Sequence, residues 1–348
     1  MSDRVREAFV AQAEVCGPMG SPFTADLCFR FAKHLDHTTK VGAFCLDWPG
    51  DPGPSADSIP LRLCGAFHAL VLSNQDDLLA AVYPPHRLEA PEWPELERVL
   101  NEHEAFLMDF IQSVPQTNEV SRSSVIFPSL MLIAELCKMP LSLLEVGASG
   151  GLNLRANKFS YDLGGLECGT ADSQLRLTPE WQGNQPVLSE PKIVDRRACD
   201  LNPLDPLDPK DELRLRAYVW PDQAERKARI DAAIEIARHN PAVVDKQDAV
   251  KWLEDRLSNL PNNTCSVIYS TVAWQYLPQA AQTAGEKLIT ECGTALNGTD
   301  KALAWLRFEA DGNTPGGGIR LQMWPSGLDC LLGRADFHAR WVDWRGLE

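Results

Sequence analysis

The sequence predicts an α/β protein with a mostly parallel seven-stranded sheet and a C-terminal antiparallel hairpin, preceded by an α-helical domain. Three observations carry this prediction. A length of 348 residues fits two domains. Apolar residues near the start recur at helical spacing, and from residue 141 short β-rich runs alternate with helical stretches. We therefore expect a helical domain over residues 1–138 and a Rossmann-like domain over residues 139–348.

The N-terminal part reads as helices separated by turns. Ser21 and Pro22 form a good N-cap and first helical position. The apolar residues that follow recur every four positions, at Phe23, Leu27, Phe31 and Leu35. A second, longer amphipathic helix is predicted over residues 96–114, and the proline- and glycine-rich residues 47–60 predict a loop.

The C-terminal part reads as strands alternating with helices, which is typical of a parallel sheet. The predicted strands are 141–146, 192–200, 242–245, 265–271, 302–309, 318–324 and 335–342. Pro325, Ser326 and Gly327 leave no room for a crossover helix, so the last two strands should form an antiparallel hairpin. Residues 160–190 are rich in Gly, Thr and Pro and predict an inserted hairpin or flap.

Charge and composition disfavour several classes of function. With 33 basic and 48 acidic residues the net charge is −15, which argues against nucleic acid as a partner. The most apolar stretch, residues 129–146, contains Glu135, Lys138 and Pro140 and predicts no membrane span. The start of the chain has no apolar signal region, so we expect a cytoplasmic protein.

The cysteines and histidines predict no metal site. The sequence has 10 cysteines, none in a Cys-x-x-Cys pair, which argues against a zinc ribbon and favours reduced thiols. His34 and His37 could share a metal at i, i+3 spacing, but no third ligand is evident nearby. A solvated helix face explains this pair of histidines.

The most informative segment is a glycine turn between an apolar strand and a predicted helix. It runs from Leu141 to Leu154, with Glu145 two residues before Gly147, and Ser149 and Gly151 completing a small-residue spacing. Such a turn lets a ligand approach the backbone closely. This spacing resembles the first motif of class I S-adenosylmethionine-dependent methyltransferases, which implies that the turn wraps the amino-acid end of the cofactor.

The same turn allows two other interpretations. Residues 147–151 also satisfy Gly-x-Ser-x-Gly, the nucleophile elbow of α/β-hydrolases, with Ser149 as the nucleophile. A hydrolase needs a downstream acid and histidine, for which His239 and His338 are available, but no His-Gly-type oxyanion loop precedes the turn. The third interpretation is a tight turn that binds no ligand. Just beyond it, Asn153 and Arg155 could orient the turn or a ligand carboxylate.

Acidic residues also follow the next two predicted strands. Asp200 ends the second strand beside Asn202, where an acid can accept hydrogen bonds from ribose hydroxyls. Asp248 follows the third strand, in a segment that resembles the one that contacts the adenine amino group in methyltransferases. The alternative for each is a solvated carboxylate at a strand end. Acids at three successive strand ends favour a shared binding role.

Five longer segments resemble an uncharacterised bacterial family known only as a domain of unknown function. They are residues 116–122, 144–154, 200–205, 217–226 and 272–278. The resemblance implies a fold similar to that of class I methyltransferases, with a helical N-terminal domain. The resemblance implies S-adenosylmethionine as cofactor, and the acidic composition and strand-end acids favour a small-molecule methyl acceptor. One departure is Ser270, which stands where we would expect a histidine.

The remaining candidates lie on either side of the glycine turn in sequence. Ser270, Gln275 and Tyr276 are the candidate catalytic residues, because they follow the fourth strand where an acceptor would sit. A candidate lid over cofactor or substrate comprises Gln116, Thr117, Asn118, Glu119, Arg122 and Trp274. Helix capping by Asn118 and Ser121 explains part of that cluster equally well. A non-catalytic cofactor sensor or scaffold with the same fold is the further alternative.

Overall fold

The computed structural model describes residues 2–54 and 56–347. The chain divides into two compact units, neither of which is continuous in sequence. The helical unit runs to Thr117 and also includes Asp208–Asp231. The sheet unit comprises Asn118–Leu207 and the chain from Ala232 onward. The sequence predicts a single boundary near residue 138. In the structure, residues 118–138 instead pack with the sheet unit, and residues 208–231 pack with the helical unit.

Twelve α-helices and three short 3-10 helices lie in the described residues. The α-helices are α1 Ser2–Cys16, α2 Pro22–His34, α3 Lys40–Leu46, α4 Ile59–Leu72, α5 Asp77–Ala81, α6 Trp93–Glu102, α7 Glu104–Phe110, α8 Ser123–Cys137, α9 Pro209–Ala217, α10 Ala224–His239, α11 Ala249–Leu257 and α12 Gln279–Ala295. The 3-10 helices are Val120–Arg122, Leu152–Lys158 and Trp274–Tyr276.

Helix α2 of the helical unit begins as predicted. The Ser21 side chain accepts a hydrogen bond from the Thr24 amide, and Phe23, Leu27 and Phe31 are buried. The single helix predicted over residues 96–114 is wrong, because the chain breaks between α6 and α7. At the break His103 has a non-helical backbone, and its Nε2 lies 2.9 Å from Asp76 Oδ2.

The main sheet has nine strands rather than the predicted seven. Its strands, and those of a smaller sheet, are β1 Leu141–Val146, β2 Ser160–Leu163, β3 Leu166–Gly169, β4 Arg176–Leu177, β5 Glu180–Gly183, β6 Ile193–Asp200, β7 Val243–Lys246, β8 Cys265–Thr271, β9 Ala302–Glu309, β10 Gly317–Trp324, β11 Leu328–Ala335 and β12 Trp341–Trp344. The order in the main sheet is β5-β12-β11-β10-β9-β8-β1-β6-β7.

The sheet is mostly parallel, which confirms the α/β fold. Strands β7, β6, β1, β8 and β9 are parallel neighbours, and β10, β11 and β12 continue as an antiparallel meander. The predicted hairpin around residues 325–327 is present between β10 and β11. The strand predicted over residues 335–342 is wrong, because Asp336 accepts hydrogen bonds from the amides of His338 and Arg340 and closes a turn there.

Residues 160–190 contribute strands to both sheets. Strands β2 and β3 form an antiparallel hairpin, β4 pairs with β2, and β5 pairs in parallel with β12. The ring of Tyr161 in β2 stacks on Phe127 of α8 at 4.7 Å between centroids. The excursion is therefore anchored to the sheet unit at both ends.

Helix α8 belongs to the core of the sheet unit. The segment Val120–Cys137 is long and apolar enough to cross a membrane by length and composition, but 67% of it is buried inside the protein. Such burial is typical of a core helix. Cytoplasmic location stays a prediction from the sequence.

Candidate functional site

The glycine turn lies at the carboxyl end of β1. This strand lies between β8 and β6 in the main sheet and is parallel to both. Three of its residues have positive φ: 72° at Gly147, 53° at Ser149 and 63° at Gly151. A Cβ on Gly147 would lie 2.5 Å from Ala273 Cβ, and one on Gly151 would lie 2.7 Å from Val244 Cγ2. Glycine is therefore required at both positions, because the backbone conformation and the close packing exclude a side chain.

The backbone amides of the turn are mostly bound to the protein itself. Those of Gly147 and Ala148 donate to the Cys199 carbonyl at 2.9 and 3.2 Å. That of Ser149 donates to Asp200 Oδ2 at 2.8 Å, and that of Leu152 donates to Asn118 Oδ1 at 2.9 Å. A phosphate-binding loop instead presents its amides to the ligand. The turn therefore lacks the free amides of an anion-binding loop.

Asp200, at the end of β6, holds the turn and keeps free acceptor capacity. Its Oδ2 accepts from the Ser149 amide and its Oδ1 accepts from the Asn202 amide at 2.9 Å. A carboxylate has about four lone-pair directions, so two further hydrogen bonds can be accepted. The Asn202 residue is exposed. The predicted ribose-binding pair therefore lies beside the turn, with Asp200 already oriented by it.

Asp248, the third predicted acid, is the N-cap of α11. Its Oδ1 accepts from the amides of Val250 and Lys251 at 3.0 and 3.2 Å. The Asp245 carboxylate, in β7 itself, pairs with Arg197 through two 2.8 Å contacts. Helix capping therefore explains the position of Asp248 without a ligand.

Glu145, in the strand that leads into the glycine turn, is buried and accepts a hydrogen bond from a tyrosine. It is 2% exposed, and Tyr269 donates its hydroxyl to Glu145 Oε2 at 3.1 Å. Burial raises the pKa of Glu145 to about 8, and the Tyr269 hydrogen bond and the positive charge of Arg155 only partly oppose this. The Arg155 guanidinium donates to the Gly151 carbonyl at 2.6 Å and to the Asn240 carbonyl at 2.9 Å. These contacts brace the turn from the protein interior.

Asn153, predicted to bind the cofactor, and the predicted lid residues of the sheet unit form part of the same support. Asn153 donates to the Glu119 carbonyl at 3.2 Å and accepts from the Ser123 hydroxyl at 2.8 Å. Arg122 donates to the carbonyls of Phe337 and Thr271, both at 2.9 Å. Asn118 caps the 3-10 helix after the turn rather than its own helix, and Glu119 accepts from the Ser121 amide. Gln116 and Thr117 belong to the helical unit.

Glu309, which the sequence analysis missed, fixes the segment after β8. Its carboxylate accepts from the amides of Ala273, Trp274 and Gln275 at 3.0 to 3.4 Å. Burial raises the pKa of Glu309, and these amide hydrogen bonds act in the opposite direction. Glu309 is the last residue of β9, as Asp200 is the last residue of β6, and this position at a strand end is the signal that could have identified it.

The candidate catalytic residues differ in how accessible they are. Ser270 is 1% exposed, whereas Tyr276 is 65% exposed. The Gln275 side-chain oxygen accepts from the Ala310 amide at 2.7 Å. Trp274 packs edge-on against Trp305 at 5.3 Å, and its Nε1 has no hydrogen-bond partner in the described part of the chain. Of the three candidate catalytic residues, Tyr276 is the one whose side chain is exposed.

The serine of the Gly-x-Ser-x-Gly spacing has no catalytic partner. Ser149 is 5% exposed, and within the described ranges its hydroxyl makes no hydrogen bond, so no histidine is bonded to it. His239 is 76% exposed at its side chain and lies 3.2 Å from Glu235. His338 lies in the turn before β12.

One group of three possible metal ligands lies in the helical unit. Asp76, Glu102 and His103 bring one ligand atom each within 4.8 Å of one another. Arg98 pairs with both Asp76 and Glu102, so a cation is already present among these acids. An ion-pair network therefore accounts for the cluster.

Comparisons with known proteins identify a family but no characterised relative. The family model described as "Uncharacterized protein conserved in bacteria (DUF2332)" matches residues 6–344. No curated protein and no solved structure matches the chain.

Proposed function

The chain belongs to DUF2332, a family of uncharacterised bacterial proteins, and we propose that it binds S-adenosylmethionine and methylates a small-molecule acceptor. The single observation that carries this proposal is the glycine turn at the carboxyl end of β1 with Asp200 hydrogen-bonded to it. Open α/β sheets bind ligands in this place, where the strand order reverses. Here β6 lies on one side of β1 and β8 on the other.

The charge of the site favours a cationic ligand. The turn amides are occupied by protein acceptors, so a phosphate would find few donors there. Asp200 ends β6 beside the turn, and its carboxylate would stabilise a nearby positive charge. S-adenosylmethionine carries a sulfonium and an ammonium group, and it lacks the phosphates of dinucleotide cofactors. A site with a carboxylate and few free amide donors therefore fits S-adenosylmethionine better than a phosphate-containing cofactor.

The protein's part in methyl transfer would be binding and orientation. The bound cofactor would supply a methyl group from its sulfonium centre, and such a transfer needs an aligned acceptor rather than covalent help. Asp200 and Asn202 would hold the ribose, and the glycine turn would hold the amino-acid end. Tyr276, the exposed candidate after β8, would position the acceptor or take its proton.

A non-catalytic cofactor sensor is the second candidate function. It is favoured by the engagement of two candidate catalytic residues in the fold, since Ser270 is buried and Gln275 binds a backbone amide. The hydrolase alternative has less support because Ser149 lacks a hydrogen-bonded histidine. A hydrolytic activity that disappears in Ser149→Ala would revive it.

Calorimetric titration with S-adenosylmethionine and S-adenosylhomocysteine tests the binding step. We expect one site in the wild type and at least tenfold weaker binding in Asp200→Asn, because the ribose would lose a charged acceptor. Asp329→Asn removes the same charge from exposed Asp329 on β11 and should bind like the wild type. Absence of binding by the wild type at millimolar cofactor would contradict the proposal.

A turnover assay distinguishes the methyltransferase proposal from the sensor proposal. The protein is incubated with labelled S-adenosylmethionine and pools of bacterial small molecules. An enzyme should release S-adenosylhomocysteine in proportion to protein, and Tyr276→Phe should slow turnover without weakening cofactor binding. Cofactor binding with no turnover in any pool would favour the sensor.

A further inference from the structure

We propose that a cavity at the amino-terminal edge of the parallel strands binds a small zwitterionic molecule of the α-amino acid type. The cavity has a volume of about 490 Å³, and ligand pockets are typically about 300 to 1,000 Å³. It is lined by β1, β6 and β8 and by the chain from Asp255 to Pro261 at the end of α11. Ser142, the second residue of β1, lines it, whereas the glycine turn follows the last residue of that strand. The cavity is thus separate from the proposed cofactor site.

Three polar residues form a row across the strands at this cavity. Ser142 is the register partner of Asp195 in β6 and of Ser266 in β8, and all three line the cavity. The Ser142 hydroxyl donates to Asp195 Oδ2 at 3.4 Å. Parallel strands covered on both faces are usually apolar along their length, and Leu144, two residues further along β1, is part of the apolar core. The polar row therefore requires an explanation other than core packing.

Two buried polar atoms beside the cavity lack hydrogen-bond partners in the described part of the chain. Ser266 is 1% exposed and its Oγ is unpartnered, and the Nε of Arg256 is also buried and unpartnered. The Arg256 guanidinium is 5.9 Å from the Trp252 ring centroid and 3.8 Å from Asp245 Oδ2. Buried polar atoms in folded proteins are nearly always satisfied, and a small rotation of either side chain toward the cavity would let a bound molecule supply the missing partner.

The chemistry of the lining defines the class of ligand. Arg256 and Ser266 offer donors suited to a carboxylate. Asp195 and Asp255 are exposed carboxylates at the same cavity, suited to an ammonium group. Leu144, Leu260 and Pro261 supply an apolar surface for a small side chain. A carboxylate, an ammonium group and a short apolar group together describe a small aliphatic α-amino acid.

Calorimetry on the full chain tests the ligand class. The probes are glycine, alanine, valine, leucine and methionine, one at a time, with isobutylamine and isovalerate as molecules that keep only one of the two charges. We expect at least one amino acid to bind at one site and both single-charge molecules to bind at least tenfold more weakly. Failure of every amino acid to bind, or equal binding of isobutylamine or isovalerate, would overturn the proposal.

Two variants locate the binding at the cavity. Ser266→Ala and Arg256→Gln should each weaken amino-acid binding at least tenfold, whereas Arg320→Gln, which changes an exposed arginine of β10, should leave it unchanged. Ser266→Ala should melt at the wild-type temperature or above, because it removes an unpartnered hydroxyl. Wild-type affinity in both cavity variants, or a fall of several degrees in the Tm of ligand-free Ser266→Ala, would overturn the proposal.

Discussion

Individual residues of the glycine turn are held in place by polar side chains from elsewhere in the sheet unit. Asp200 accepts the Ser149 amide and keeps acceptor capacity for a ligand. Glu145 lies buried below, beside Tyr269 and Arg155, where its carboxyl group is mostly protonated at neutral pH. Asp200 therefore stabilises the turn before any ligand binds.

Glu145 should make stability depend on pH. Its pKa in the folded protein, about 8, is above its ordinary value, so the folded state holds more protons than the unfolded state between about pH 4.5 and 8. The free energy of unfolding should therefore fall as pH rises through that range, by up to about 1.4 kcal/mol per pH unit from this group.

Urea unfolding at several pH values checks the Glu145 prediction. Glu145→Gln cannot ionise, so its stability should fall less steeply with pH than that of the wild type over the same range. Parallel pH profiles for the two proteins would show that Glu145 is ionised in the folded state.

Two substitutions of Asp248 distinguish a helix-capping role of this side chain from a ligand-binding role. Asp248→Ala removes the acceptor for two amides at the start of α11 and should lower the free energy of unfolding by about 1 kcal/mol. Asp248→Asn keeps an N-cap and should lower it by only a few tenths of a kcal/mol. Chemical denaturation measures both, and equal losses in the two variants would contradict capping as the role of this side chain.

At the scale of elements, the strands of the parallel sheet were predictable and their side-chain networks were not. Strand β1 and the turn after it follow directly from an apolar run and a glycine cluster. The break at His103 and the turn at Asp336 depend on side-chain contacts that periodicity does not encode. Asp200 at the end of β6 and Asp248 just after β7 lie where the sequence predicted them, but the sequence pattern does not encode their hydrogen bonds to backbone amides.

Glu309 should be essential to the segment between β8 and the 3-10 helix that follows. Glu309→Ala leaves three amides, those of Ala273, Trp274 and Gln275, without their acceptor, and we expect a loss of about 3 kcal/mol. Glu286→Ala on α12, where the side chain is 47% exposed, should change stability by less than about 0.5 kcal/mol. Equal effects of the two substitutions in denaturant titrations would contradict the bracing role of Glu309.

At the scale of the whole molecule, the helical unit depends on a segment distant in sequence. Residues 208–231 belong to this unit, in which Asp222 accepts from the Phe23 amide at 2.9 Å and from the Ser21 hydroxyl. His68 Nδ1 lies 3.1 Å from the Ala217 carbonyl oxygen. Charge and periodicity do not report contacts between residues about 150 or more positions apart, so the sequence predicts these residues in different domains.

A fragment of residues 1–138 should therefore not fold as an independent domain. It lacks residues 208–231 and carries α8, which would expose the apolar residues that it buries in the sheet unit. Circular dichroism should give no cooperative thermal transition for the fragment, in contrast to the full chain. A sharp transition with native-like helix content would contradict the discontinuous unit.

A crystal structure of the full chain with S-adenosylhomocysteine tests the central proposal most directly. The proposal predicts electron density for the ligand against the turn Gly147–Gly151, with its ribose hydroxyls within hydrogen-bond distance of the Asp200 carboxylate. Ligand density elsewhere on the chain, or an empty glycine turn at saturating ligand, would contradict the assignment of this turn as the cofactor site.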